Sequence, residues 1–362
     1  MVASDALRTT MGSMTETAVG EPRRYRFDRA PLRVYWEVTR ACDLACRHCR
    51  AEAVALRHPA ELDIHEARQL FKQLASGDAP PPHVVLTGGD PLKRPDLFDL
   101  IALARDFRLP VSVSPSATPL VTPDAIRRLK QAGAEAISLS LDGATAAQHD
   151  AFRGVTGTFA RTMAAARTAA LVDLPFQVNT LVSAGTLGSL PATYALARDL
   201  GAARWSVFFL VQVGRGTGLD PISPQACEEL MTWLAGLPRG KPLVTTTEAP
   251  HYRRVMYERT GRRGGHGAGI RDGNGIMFIS HTGDVCPSGF LPLAAGNVRT
   301  EDPLTIYRES AVFRRLREAD RFHGRCGTCA FNWECGGSRA RAFAASGDPL
   351  GEDPLCVYGQ SV

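Results

Sequence analysis

The sequence has 362 residues, of which 44% are hydrophobic and 22% charged, a composition that predicts a globular chain with a sizeable core rather than a disordered one. Its net charge of +5 is too small to indicate a nucleic-acid-binding surface. No run of about 18 apolar residues occurs, so we expect no membrane span. At about 100–200 residues per domain, the length predicts two or three domains, or one large α/β barrel with an appendage.

Residues 1–30 are polar and carry Arg23, Arg24 and Arg26 near their end. They lack the apolar stretch of a signal peptide, so we expect a disordered tail. The chain has nine cysteines, an odd number, and seven of them lie in two close groups. This does not suit a secreted disulfide framework. The grouped cysteines are therefore expected to be metal ligands, and the protein is expected to be cytoplasmic, with no nucleic-acid or membrane partner.

Short β-rich runs alternate with amphipathic helical stretches over residues 31–215. The expected strands are Val34–Val38, His83–Leu86, Pro110–Ser114, Ala136–Leu141, Phe176–Val182 and Trp205–Val211. Six strand–helix units of about 30 residues predict parallel strands joined by right-handed crossovers, hence an α/β fold. Periodicity alone leaves open whether these strands form an open barrel or a doubly wound sheet.

Residues 216–275 lack this alternation and are interpreted as a connector with one helix near Ser223–Leu237. The stretch His251–Arg271 follows, with six Arg and a single acid, Glu258. One interpretation is a mobile, solvated basic loop. The other is a clamp for an anionic substrate, because a guanidinium pairs bidentately with carboxylates.

The last segment, 276–362, is expected to be a small hairpin-plus-helix domain. An apolar run at Ile276–Ser280, a turn at Thr282–Asp284 and then Val285–Cys286 predict a β-hairpin. A charged helix is expected at about Asp302–Asp320, before the second cysteine group.

The first cysteine group has the spacing C-x3-C-x2-C, formed by Cys42, Cys46 and Cys49 directly after the first expected strand. Three thiolates can hold three irons of a [4Fe–4S] cluster and leave the fourth iron open. Zinc is the alternative, but a structural zinc site needs four ligands. His48 is a possible fourth ligand, yet it lies between two thiolates with little freedom to converge.

This spacing resembles the defining motif of the radical S-adenosylmethionine (radical SAM) superfamily. After the second strand, Gly88-Gly89-Asp90-Pro91 resembles the family's G-G-E-P element, with Asp in place of the more usual Glu. The resemblance implies that this loop binds the amino group of the SAM methionine. Paired glycines let a ligand approach the backbone, and a carboxylate can pair with an ammonium.

Further segments resemble the same family. Ser138–Gly143 is similar to the S-L-D-G segment around the SAM ribose, and Ser140 and Asp142 share one parity, so both could face the interior. Arg153-Gly154 with Gly157 and Phe159 is similar to an R-G-x-x-G-x-F stretch, which implies that Arg153 meets the SAM carboxylate. The implied ribose and adenine contacts, for which a purely structural role is the alternative, are Asn179, Leu210 and Val211.

The resemblance implies a partial (β/α)6 TIM-type barrel whose site lies at the carboxyl ends of the strands. In the family, the open iron chelates SAM, and one electron from the reduced cluster yields methionine and a 5′-deoxyadenosyl radical that takes hydrogen from a substrate. An electron donor of the flavodoxin or ferredoxin type is implied as a partner.

The second group supplies four thiolates, enough to ligate one further [4Fe–4S] cluster completely, although four cysteines also suit zinc. Its members are Cys326, Cys329, Cys335 and Cys356. The surrounding segment resembles the SPASM/twitch tail with one auxiliary cluster, which implies an electron-accepting role, with a structural role as the alternative. Cys286 is an alternative ligand in place of Cys356, a substrate-facing thiol or an inert residue, and Cys227 is expected in the core.

Within the superfamily, the tail is most similar to enzymes of the alternative haem and denitrification haem pathways, which act on tetrapyrrole side chains. We therefore expect a net oxidation or decarboxylation of a small carboxylate-bearing molecule. A maturase that crosslinks a precursor peptide is the alternative, although the roughly 30 residues before the first strand are too few for a folded leader-recognition domain. A non-catalytic metal-binding protein is the third possibility.

Overall fold

The computed structural model describes residues 26–77, 79–262 and 269–359. Most of the expected tail, 1–25, lies outside the described residues. Residues 26–30 form a turn closed by the Arg29 N–H, which donates to the Arg26 carbonyl at 2.9 Å. This turn leads directly into the first strand.

One ten-stranded sheet forms the centre of the molecule, in the spatial order β10-β9-β8-β1-β2-β3-β4-β5-β6-β7. Its strands are β1 (Arg33–Thr39), β2 (His83–Gly88), β3 (Val111–Val113), β4 (Ala136–Ser140), β5 (Phe176–Val182), β6 (Arg204–Phe209), β7 (Leu243–Thr247), β8 (Ile276–Ile279), β9 (Asp284–Cys286) and β10 (Gly296–Asn297).

Helices follow most of the strands. They are α1 (Ile64–Ala75), α2 (Leu97–Asp106), α3 (Pro123–Ala132), α4 (Ala146–Arg153), α5 (Thr158–Leu171), α6 (Leu190–Asp199), α7 (Pro224–Gly236), α8 (Tyr252–Thr260), α9 (Pro303–Glu309), α10 (Ala311–Arg317), α11 (Gly324–Thr328) and α12 (Arg339–Ser346). Short 3₁₀ helices lie at Pro91–Lys93, Leu187–Ser189, Gly214–Gly218 and Ala319–Arg321. No described helix has the length and apolar character needed to cross a bilayer.

Strands β1 to β7 are parallel and are neighbours in strict chain order. A doubly wound sheet would reverse its strand order at a switch point, and this sheet does not. Right-handed crossovers therefore place the connecting helices on one side, and the sheet curls into a partial barrel. Trp36 and Phe71 are fully buried between sheet and helices. On β4, the partly exposed Ser138 and Ser140 alternate with the buried Ile137 and Leu139 and so face the open side.

The sheet extends beyond the six expected barrel strands. The connector contains a seventh strand, β7, which pairs in parallel with β6, and β8 pairs in parallel with β1 at the other edge. The hairpin of β8 and β9 therefore continues the barrel sheet. The run Thr245–Thr247 was missed because its threonines are polar, although β-branched residues favour strands.

The charged helix expected at about Asp302–Asp320 is in fact broken into α9, α10 and a 3₁₀ turn. Ser310 makes the break: its backbone is extended, and its hydroxyl accepts from the Phe313 N–H at 3.4 Å. Serine at such a position favours a new helix start over continuation of the old one.

The interpretation of His251–Arg271 as one mobile loop or anionic clamp is also wrong for the described residues. Most of the stretch before 263 is helix α8. Arg253 donates to two backbone carbonyls, and Arg254 pairs with Glu228 and Glu258. Because their guanidiniums are used to hold the protein together, these residues do not offer a free site for an anion. Residues 263–268 lie outside the described part of the chain.

Candidate active site

The three cysteines of the first group lie on one loop at the carboxyl end of β1. Cys42 and Cys46 are buried and Cys49 is partly exposed. The Arg47 N–H donates to the Phe152 carbonyl at 3.1 Å, and the Cys49 N–H donates to the Cys46 carbonyl at 3.3 Å. The loop is thus fixed against the end of α4, with its thiols at the mouth of the barrel, where such folds place their active sites.

The paired glycines after β2 hold their loop against the cysteine loop. The Gly89 N–H donates to the Thr39 carbonyl at 2.8 Å, and the Asp90 N–H donates to the Ala41 carbonyl at 2.7 Å. Gly88 has a φ of 145°, and a Cβ on Gly88 or Gly89 would overlap the Thr39 or Ala41 carbonyl. Glycine is therefore required here by backbone contact.

The Asp90 carboxylate is turned inward rather than into the open site. It is fully buried and accepts hydrogen bonds from Leu92 N–H at 3.1 Å, Ser116 N–H at 3.3 Å and the Thr118 hydroxyl at 2.6 Å. Burial raises the pKa of Asp90 despite these bonds. The expected pairing of this carboxylate with a ligand ammonium is not what the geometry offers, because its acceptors are satisfied internally. Pro91 begins the following 3₁₀ turn.

Arg153 connects the end of β4 to the cysteine loop. Its Nη2 pairs with Asp142 Oδ2, its Nη1 lies 3.6 Å from Cys46 Sγ, and Asp142 Oδ1 accepts from the Leu181 N–H at 2.8 Å. Burial alone would raise the pKa of Asp142, but the charge of Arg153, together with His48, His149 and the hydrogen bond from Leu181, outweighs it and the pKa is lowered. Both groups are therefore charged, and the arginine is held rigidly beside a thiol.

Several buried polar atoms around this loop have no hydrogen-bond partner among the described residues. They include Arg153 Nε, His48 Nδ1 and His149 Nε2, and the His48 ring stacks on Phe152 with centroids 4.9 Å apart. An unsatisfied buried polar group costs about 1–3 kcal/mol. Such atoms beside three thiols fit a site shaped for a polar ligand next to an iron–sulfur cluster.

The remaining residues with expected SAM contacts divide into two groups. Ser140 and Asn179 are paired across β4 and β5 and are partly exposed on the inner face of the barrel. Asn179 Oδ1 accepts from Gln177 Nε2 at 2.6 Å. Leu210 and Val211 are buried after β6, so only their backbone groups are suited to polar contacts with a ligand.

The four cysteines of the tail converge on one cavity. Cys326, Cys329, Cys335 and Cys356 all line it, together with His251, Gly336, Gly337 and Tyr358, and none forms a disulfide. Donors approach three of the sulfurs: Phe331 N–H to Cys329 at 3.3 Å, Gly337 N–H to Cys335 at 3.4 Å and Arg339 Nη2 to Cys326 at 3.5 Å. Hydrogen bonds to sulfur are one of the means by which proteins tune iron–sulfur clusters.

Within the described ranges, no three His, Cys, Asp or Glu side chains are arranged to hold one metal ion. Three thiolates match a [4Fe–4S] cluster with one open iron, and four match a fully ligated cluster. Four thiolates also match a structural zinc ion.

The two other cysteines lie outside both groups. Cys286 is on β9 and does not line the tail cavity, so the geometry does not support it as a ligand in place of Cys356; burial raises its pKa to about 11. Cys227 is fully buried in the core, as expected, and its Sγ lies 3.3 Å from His251 Nε2.

Arg341 is an important residue that sequence reasoning missed. It is buried, and its Nε donates to the Leu210 carbonyl at 3.3 Å. Its Nη1 contacts both Asp353 oxygens, at 3.0 and 2.9 Å, and its Nη2 donates to the Glu248 carbonyl at 2.5 Å. Arg341 thereby joins the ends of β6 and β7 to the tail. The sequence feature that could have indicated a buried arginine was Asp353, an acid close to Cys356 that could serve as the partner of a buried cation.

Known proteins match this sequence and fold. The model of the radical SAM superfamily matches residues 36–187. A protein of Methanosarcina barkeri named AdoMet-dependent heme synthase is 39% identical over 91% of this chain and 97% of its own length. One of the same name from Nitratidesulfovibrio vulgaris is 40% identical over 90% and 92%.

The fold is similar to that of Streptococcus suis SuiB, solved with bound S-adenosylmethionine, at a TM-score of 0.70 and 15% identity over 91% of this chain and 78% of that one. That likeness supports the partial barrel. Since relatives this similar match nearly their full length, the chain belongs to the radical SAM superfamily, whose cofactors are S-adenosylmethionine and a [4Fe–4S] cluster.

Proposed function

We propose that the chain oxidatively decarboxylates a propionate side chain of a tetrapyrrole. The observation that carries this proposal is the similarity to proteins named AdoMet-dependent heme synthase, which covers 90% or more of the chain. The presence of two separate cysteine sites supports it, because such a reaction needs one site for hydrogen abstraction and another for electron removal.

When bound, the reduced cluster would supply the electron that splits SAM into methionine and a 5′-deoxyadenosyl radical. The substrate would give that radical one hydrogen atom from the propionate carbon next to the ring. Loss of carbon dioxide and one electron from the side chain would then leave a vinyl group, and the electron would pass to an acceptor within the protein.

In this proposal, the chain's own residues position SAM. The cysteine ligands of the open cluster are Cys42, Cys46 and Cys49. The Gly88–Gly89 backbone binds the amino end of the methionine, and Arg153, held by Asp142, binds its carboxylate. Ser140 and Asn179 face the ribose. The backbone at Leu210 and Val211, which follow β6, contacts the adenine.

The acceptor in this proposal is an auxiliary [4Fe–4S] cluster held by Cys326, Cys329, Cys335 and Cys356. Arg339 supports this role, because its buried guanidinium lies 3.5 Å from Cys326 Sγ. A nearby cation stabilises the additional negative charge of a reduced cluster. A flavodoxin- or ferredoxin-type protein would supply electrons to the first cluster.

Anaerobic reconstitution tests the proposal. We expect about eight irons per chain, as two cubanes require, and dithionite-dependent release of 5′-deoxyadenosine. With an iron porphyrin that carries propionates, we expect carbon dioxide release and vinyl products by mass spectrometry. Modification of a precursor peptide and not of the porphyrin would favour the maturase alternative. A zinc-loaded chain that does not cleave SAM would favour the third possibility, a non-catalytic metal-binding protein.

A further inference from the structure

We propose that Arg215 is a substrate-binding residue that holds a carboxylate of the tetrapyrrole; this assignment rests on the proposed function. Its Nε and Nη2 are buried, and within the described residues neither has a hydrogen-bond partner. A guanidinium presents a planar set of donors that matches a carboxylate in a bidentate geometry. The two unused donors therefore indicate a ligand with a carboxylate group.

Arg215 is fixed at its backbone to the cysteine loop. It lies in the 3₁₀ helix after β6, and its N–H donates to the Cys49 carbonyl at 3.1 Å. Gly214 before it packs so closely that a Cβ would lie 2.6 Å from the Cys49 carbonyl oxygen and 2.7 Å from that of Arg50. The Arg215 side chain therefore extends from a backbone position that is fixed by a hydrogen bond to Cys49, one of the expected cluster ligands.

The same segment packs against the tail. Val211 and Val213, just before Arg215, share a hydrophobic cluster with Leu316 and Ala340, and Arg341 donates to the Leu210 carbonyl. Arg215 thus lies where the cysteine loop meets the auxiliary domain. In the proposed reaction, the substrate gives a hydrogen atom on the side of the cysteine loop and an electron on the side of the tail cysteines. Such a substrate must lie at this junction.

The charges of two other arginines near the cysteine loop are already paired. Arg153 pairs with Asp142, and Arg50 Nη1 pairs with Glu37 at 3.0 Å. Each of these cations has an acidic partner supplied by the protein. Arg215 Nε and Nη2 have none within the described chain, and an anionic ligand is the partner that would satisfy both donors and charge.

Binding measurements on the reconstituted enzyme test this. The variants are Arg215→Gln, which removes the charge, and Arg215→Lys, which keeps the charge but lacks the planar guanidinium that binds a carboxylate through two donors. The control is Arg198→Gln, an exposed arginine on α6 paired with Asp199. The probes are an iron porphyrin with free propionates, the same porphyrin with esterified propionates, and SAM, each titrated by absorbance or calorimetry.

We expect Arg215→Gln to weaken binding of the free-propionate porphyrin at least about tenfold, as loss of a charge-assisted pair predicts. Arg215→Lys should fall between wild type and Arg215→Gln. Binding of the esterified porphyrin and of SAM should be unchanged, as should iron content. Equal porphyrin binding by wild type and Arg215→Gln overturns the assignment, and so does a selective loss of SAM binding. A wild-type enzyme that binds neither porphyrin overturns the proposed function itself.

Discussion

Arg153 and Asp142 form an ion pair almost out of contact with solvent, their side chains being 11% and 1% exposed. Breaking a buried pair by removal of one partner costs about 3–5 kcal/mol, since the other charge is left uncompensated. We therefore expect Arg153→Gln to lower the free energy of unfolding of the metal-free chain by that amount in urea titrations at pH 7. SAM affinity of the reconstituted variant should also fall.

The double variant Asp142→Asn/Arg153→Gln removes both charges and should recover part of the lost stability, because the two sites are coupled. Arg198→Gln is the matched exposed control and should change stability by about 1 kcal/mol or less. An Arg153→Gln chain as stable as this control would contradict the ion pair.

Asp90 allows a second prediction. The family's more usual residue at this position is Glu, but here the carboxylate is fully buried and bonded to Thr118. An additional methylene should cost about 1–3 kcal/mol through overpacking, so we expect Asp90→Glu to reduce stability and slow 5′-deoxyadenosine release. Asp90→Glu/Thr118→Ser frees a methyl volume and should recover part of both. Improved SAM binding by Asp90→Glu alone would mean that the carboxylate faces the ligand.

A third prediction separates the two cysteine sites. Replacement of Cys42, Cys46 and Cys49 by Ala should abolish SAM cleavage and leave about four irons per chain, because one cubane is lost. Cys329→Ala should retain SAM cleavage but stop substrate turnover. Iron and sulfide analysis with electron paramagnetic resonance provides the readout.

Cys286→Ala is the control for this series, since that thiol lies outside the tail cavity. It should keep about eight irons, as two intact cubanes require. Loss of half the iron in Cys286→Ala, or SAM cleavage by the triple variant, would refute the assignment of ligands.

The sequence predicted those parts of the molecule that depend on local pattern. The six expected strands are all present, because alternation such as that of Val34, Trp36 and Val38 is set by burial of one face. The need for glycine at Gly88 and Gly89 was also readable, although the sequence predicted the approach of a ligand and the structure shows the approach of the Thr39 and Ala41 backbone. These features need only neighbouring residues to be interpreted.

Contacts between side chains that are far apart in the sequence could not be predicted from it. Arg341 in a Gly-rich segment has the sequence pattern of a solvated cation, and only the fold brings it to Asp353 and the Leu210 carbonyl. The direction of the Asp90 side chain was missed for the same reason: Thr118, whose hydroxyl donates to the Asp90 carboxylate, lies in the loop after the next strand. Residue type gives the chemistry of a group, but tertiary packing decides what it faces.

His83 gives a prediction of pH dependence away from both cysteine sites. It begins β2, at the opposite end from Gly88, and its Nε2 lies 2.7 Å from the Ser112 hydroxyl. Burial, with added repulsion from Arg33 and Arg204, lowers its pKa to about 4. The ordinary value in an unfolded chain is about 6.5, so between these values the unfolded chain binds a proton that the folded chain does not.

Stability must therefore fall as the pH is lowered from about 6.5 towards 4, and this contribution is fully present above that range. We expect His83→Gln to make the pH dependence of unfolding shallower across this range, measured by urea titrations of the metal-free chain. His65→Gln, on the exposed face of α1, is the matched control and should keep the wild-type slope. Identical slopes for all three chains would mean that His83 takes up its proton in the folded state as readily as in the unfolded one.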